Sequence, residues 1–236
     1  MAVFEVWLAL GIPLGLLGGN IGLHGMASNL QADPYAIGPA GSVMLLCGMY
    51  GAIFSAIGYF ASRNNEHPLP KRINGFQLAF MWVVIVPIWV LPMATGAGIA
   101  TFISLPSVVL YLGFIFMAIL MNTDNKKSLV HCVADAALAG IMVSLVAALV
   151  IWFGSSPQVD FSAVGFGSIG ILYGTMIYIG CYIVSLKTGE TDQINFRVKN
   201  WHLVEANTFY IFLVFAPVNL GESLFNELDE IERVKM

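Results

Sequence analysis

The sequence predicts an all-α protein, a polytopic bundle of transmembrane helices with about seven spans. Hydrophobic residues make up 58% of its 236 residues and charged residues only 10%, well outside the range of a soluble globular domain. Mean hydropathy is +0.82. Apolar stretches of about 20 residues, the length that crosses a hydrocarbon core, recur at 4–24, 37–61, 74–96, 99–121, 129–153, 163–186 and 202–221. The polar stretches between them are loop-sized, so one membrane domain, residues 1–221, takes up nearly the whole chain.

The first stretch carries Glu5 and no positive residue ahead of its apolar run. That does not fit a secretory signal peptide, and the segment is expected to stay as a helix. Pro13 and Asn20 interrupt it, and a carbonyl freed by proline in a membrane must find another partner or line a wet cavity. The third stretch holds Pro87 and Pro92 and runs into PMATGAGIAT, Pro92 to Thr101, which is expected to turn tightly before the fourth. Were that segment a break inside one re-entrant element, the count would be six. Small residues crowd the first, second, fifth and sixth stretches: Gly11, Gly15 and Gly19; Gly48 and Gly51; Ala136, Ala139 and Gly140; Gly170 and Gly174. Such spacing lets helix backbones approach closely, so these four are expected to form the packed bundle. After the seventh, residues 222–236 alternate Leu224, Leu228 and Ile231 with Glu222, Glu227, Asp229 and Glu230. That pattern suits an acidic amphipathic tail lying outside the membrane against a partner.

Arg63, Lys71, Arg72, Lys126, Lys127, Lys187, Arg197 and Lys199 fall on one side of the alternating loops, against Arg233 and Lys235 on the other. The basic side is cytoplasmic by the positive-inside rule, which puts the N-terminus inside and the tail outside, in the cell's inner or plasma membrane. A net charge of −4 gives nucleic acid nothing to bind, since no basic patch is present to displace phosphate counterions. Cys47, Cys132 and Cys181 all lie in apolar stretches and read as small buried thiols.

Apart from Glu5 at the head of the first stretch, two helical pairs carry the acids within the apolar segments: His131 with Asp135, and His202 with Glu205. Spacings of four and three put each pair on one helix face. On the expected topology both lie in the first turns of spans entering from the cytoplasm, where they could relay protons or, if the fifth and seventh spans touch, hold a metal such as zinc, iron or copper. Haem between His131 and His202 is a further geometry for them. The other reading of the histidines is anchoring at the membrane surface. Retinal is excluded, because every lysine lies in a loop or the tail. Tyr50, Tyr59, Tyr173 and Tyr178 could line a polar path.

Residues Ile12 to Leu17, IPLGLL, together with Met49-Tyr50-Gly51, Asn74-Gly75-Phe76 and AVGFGSIGILYGTMIY from Ala163 to Tyr178, resemble the motifs of the acetate and succinate uptake transporter family. The resemblance covers the first six spans and implies a compact, commonly hexameric channel-like bundle that moves small carboxylates, with Pro13, Leu14 and Tyr50 near its constriction. The seventh span departs from that family's six-span plan.

Two functions are therefore expected. One is a transporter or channel for small carboxylate anions, proton-coupled through Asp135 and Glu205, working as an oligomer in lipid without a cofactor. The alternative is an accessory subunit, bearing metal or haem, of a multi-subunit membrane enzyme. No phosphate-binding loop, zinc-protease pair or serine elbow occurs.

Overall fold

A computed structural model describes residues 2–27, 37–62, 73–122, 128–154, 161–189 and 200–212. The helices are α1 (Ala2–Ala27), α2 (Ile37–Ser62), α3 (Gly75–Thr95), α4 (Leu105–Met121), α5 (Leu129–Gly154), α6 (Phe161–Thr188) and a last helix, α7, over 200–212. No strand occurs among the described residues. Five of the helices are long and apolar enough to cross a membrane, and α4, at 17 residues, is shorter. The chain is an all-α, multi-pass integral membrane protein. The basic loops at 63–72, 123–127 and 190–199 and the acidic tail lie outside the described residues.

Residues 92–101 form a turn between two helices. α3 ends at Thr95, Gly98 takes a positive φ of 86°, and a 3-10 turn follows at Ile99–Phe102. A side chain at Gly98 would be strained, because that φ is open mainly to glycine. Ser104 then caps α4 by accepting from the Ser107 backbone N–H at 3.4 Å, with a proline in the first turn, where its missing N–H costs nothing.

α1 sits at the centre, against α2 on one side and α6 on another, while α5 packs on α6 and α4. The glycine-rich helices are the ones whose backbones approach. A Cβ at Gly15 would lie 2.5 Å from the Cys47 carbonyl oxygen, and one at Gly11 would lie 2.7 Å from that of Gly51. On the other side, Gly170 abuts Ser144, and Gly174 abuts Ile141 and Tyr111. α6 is the most enclosed span, whereas α2 and α3 leave most of their surface uncovered.

Candidate functional site

Pro13 has no N–H to give to the Ala9 carbonyl four residues back. Two distant side chains repair the ladder around it. Asn200 of α7 donates its Nδ2 to the Ala9 carbonyl at 2.9 Å, and Ser55 of α2 accepts from the Ile12 N–H at 3.1 Å and donates to the Leu8 carbonyl at 3.2 Å. The Oδ1 of Asn200 accepts from the Tyr178 hydroxyl of α6 at 2.9 Å. The proline break is thus the knot that joins α1 to α2, α6 and α7.

Two turns further along α1, Asn20 is fully buried and gives both amide hydrogens away, to the Leu16 carbonyl at 2.8 Å and to Asn207 Oδ1 of α7 at 2.7 Å. Asn207 in turn donates to the Leu203 carbonyl at 2.9 Å. The Oδ1 of Asn20 has no donor among the described residues. A buried amide oxygen left so costs about 1–3 kcal/mol, and it is an acceptor for whatever donor or cation reaches it.

One turn beyond, His24 is buried at 6% exposure and bonded at both ring nitrogens. Nε2 lies 2.8 Å from the Thr101 carbonyl oxygen and Nδ1 lies 2.7 Å from the Ser168 hydroxyl of α6. A carbonyl only accepts, so Nε2 carries a hydrogen. Phe102 packs against the ring at 4.9 Å between centroids. Tyr173 fixes the same 3-10 turn to α6, donating to the Phe102 carbonyl at 2.7 Å and accepting from the Ser104 N–H at 3.1 Å. Asn20 and His24, four apart, share a face of α1, and with Asn200 and Asn207 of α7 and Ser168 and Tyr178 of α6 they form a row of buried polar groups along a three-helix seam.

The two His–acid pairs foreseen from the sequence close within their own helices. His131 Nε2 lies 3.2 Å from Asp135 Oδ2, with side chains 17% and 38% exposed, and His202 Nδ1 lies 3.2 Å from Glu205 Oε2, with side chains 48% and 51% exposed. Among the described residues no group of three or more His, Cys, Asp or Glu side chains is placed to hold a metal, so the four are not gathered into one centre. For haem, each histidine already turns one ring nitrogen to the acid of its own helix. Leu14 and Tyr50 line a cleft of about 650 Å³ between α1, α2 and α3, walled by apolar residues such as Phe54, Val84 and Ile88. Pro13 is buried and is not one of the residues lining it.

Sequence reasoning missed His24, Asn200, Asn207 and Ser168, and took Asn20 only as an interruption. The signal was present in part: Asn20 and His24 are four apart, and Asn200 and Asn207 seven apart, each pair at helical spacing on one face.

No family model and no solved structure matches the chain. A 77-residue stretch is 43% identical to the chemotaxis protein PomA of Vibrio alginolyticus, a likeness that covers 30% of this chain and 30% of that protein. The chain is a multi-pass helical membrane protein with partial similarity to that chemotaxis protein.

Proposed function

We propose that this chain moves a small ion across the inner or plasma membrane, along the polar seam between α1, α6 and α7, and that it does so within an oligomer. The observation that carries this reading is the buried row itself. Asn20, His24, Ser168, Asn200 and Asn207 are each at most 6% exposed, and polar side chains sunk among membrane spans mark ion or substrate paths by default. The alternative is that they only hold helices together. It accounts for Asn200, whose partners are all satisfied, but leaves the unpartnered Oδ1 of Asn20 and the titratable His24 without a purpose.

The His131–Asp135 and His202–Glu205 pairs, half-open on helix ends, suit the gathering of cations at the mouth of such a path. A small carboxylate as the cargo is supported by the family resemblance alone. The cleft lined by Leu14 and Tyr50 has no basic side chain in its wall, and a carboxylate there would lose its hydration with little to replace it.

Function as one subunit of a larger membrane assembly is the second reading. It is compatible with the broad uncovered apolar surface of α2, α3 and α4, where Phe60, Phe76, Phe80 and Phe116 stand out and partner helices can pack as readily as lipid. Purified protein in sealed liposomes under an imposed ion gradient tests the first reading. Ion flux above that of empty liposomes, lost when Asn20 and His24 are both replaced by leucine, is the expected result. Folded protein that passes no proton, sodium or potassium would leave the assembly reading in its place.

A further inference from the structure

We infer that the moving ion is a proton, that His24 loads it at Nδ1, and that the α3–α4 turn must let go of Nε2 before the proton can leave on the other side. This rests on the ion-transport reading above and names its cargo and its gate. Hydrogen counting carries the first half. Ser168 has one hydroxyl hydrogen, two acceptors that lie along its exchange with the ring, the Gly165 carbonyl at 2.9 Å and His24 Nδ1 at 2.7 Å, and the Tyr210 hydroxyl as a further neighbour. With His24 neutral, Nε2–H donates to Thr101 and the serine hydrogen serves Nδ1. With His24 cationic, Nδ1–H donates to the serine oxygen and the serine hydrogen serves Gly165. Both states keep every heavy atom in place and every ring nitrogen bonded.

The step between them balances. A hydronium ion gives a proton to the Ser168 oxygen on its Gly165 side and becomes water. The original serine O–H bond breaks as its hydrogen forms a bond to Nδ1. Serine ends neutral and histidine carries the charge. Among the described residues, the groups that touch His24 or its serine from the packed elements are Thr101 and Phe102 of the turn, Gly165 and Ser168 of α6, and Tyr210 of α7, which bonds to Ser168. None of these described groups carries a charge, so the acceptors they offer the loaded cation are neutral.

The second half follows from the other nitrogen. A carbonyl oxygen cannot take the Nε2 proton onward, so a proton loaded at Nδ1 returns the way it came while the Thr101 contact stands. Passage requires the turn to withdraw and free Nε2, or to release the ring to rotate. The turn is therefore the gate, and Tyr173, anchoring it through Phe102 and Ser104, sets how readily it moves.

Two measurements test this. In lipid nanodiscs, nitrogen-15 NMR of the histidines should show His24 as the Nε2–H tautomer when neutral, gaining its second proton at Nδ1, with Ser168→Ala shifting that titration. In liposomes carrying an internal pH dye, a cysteine-free background with Gly25→Cys and Ala97→Cys can pin the turn to α1, because the Cβ positions lie 3.7 Å apart, close to disulfide spacing. Oxidation should cut proton flux roughly a hundredfold and reduction should restore it, as should be expected when proton transfer is interrupted, while NMR still sees His24 load. His24→Gln, which hydrogen-bonds but cannot titrate, should abolish the flux in folded protein. Equal flux in oxidised and reduced protein overturns the gate, and a His24 that never loads at Nδ1 overturns the carrier. Wild-type protein that passes no proton while His24 loads normally rejects the transport reading and leaves the loading site standing.

Discussion

α1 meets its neighbours in two unlike ways. Toward α2 it offers Gly11 and Gly15, so close that Gly51 of α2 could not carry a Cβ without striking the Gly11 carbonyl oxygen 2.5 Å away. Toward α6 and α7 it offers Asn20 and His24, each bonded across to a side chain. Lipid tails are as apolar as leucine, so helices in a membrane associate through close packing or hydrogen bonds rather than by escaping water. One helix here uses both, on opposite faces. The packed face sets distance and adds only the bonds of Ser55 to the α1 backbone, whereas the bonded face chooses its side-chain partners atom by atom and leaves a titratable group among them.

Each face can be broken separately. Gly51→Val should destabilise most, by about 3 kcal/mol or more, since an overpacked backbone contact cannot relax by turning a rotamer. Thermal unfolding in detergent reads this, with Gly18→Ala as control. Nothing lies within 4 Å of a Cβ at Gly18, so that change should stay within about 0.5 kcal/mol. Equal melting of the two variants would remove the packed face from the account.

Asn207→Leu should come next, at about 1–3 kcal/mol, because it strands the amide of Asn20. Adding Asn20→Leu should return part of the loss, and a double-mutant cycle measures that coupling. Simple additivity would mean that the two amides do not depend on each other.

Asn200→Ala should cost about 1–2 kcal/mol by removing the bonds to the Ala9 carbonyl and from the Tyr178 hydroxyl. Pro13→Ala in that background should recover stability, since alanine brings back the N–H that Ala9 lacks; no recovery would show that the carbonyl finds water instead. The smallest effect belongs to Glu205→Gln, within about 1 kcal/mol, as its ion pair with His202 is half exposed on both sides.

Most of the helical frame was legible because apolar length alone fixes where a chain can span. The turn at 92–101 was visible in its glycines and proline, and the crowded glycines foretold which backbones meet. The polar seam was not. His131–Asp135 and His202–Glu205 drew attention because three- and four-residue spacings are the only pairings a sequence displays. The partners of His24 lie 77 and 144 residues away, and Asn20 meets Asn207 across 187. Such contacts exist only once the helices are arranged, and His24 sat at the end of its expected span, where a histidine reads as an anchor.

The repair of the proline break also imposes an order in time. Ala9 leaves the ribosome ahead of Asn200, which completes its hydrogen bonding and follows 191 residues later. Until then α1 sits in lipid with this carbonyl lacking its Asn200 partner, so the span remains provisional and is finished by the arrival of α7. Nascent chains stopped short of residue 200 should therefore hold α1 more loosely, and cross-linking of stalled chains to neighbouring lipid or insertion machinery at Ala9 should fall once α7 has emerged.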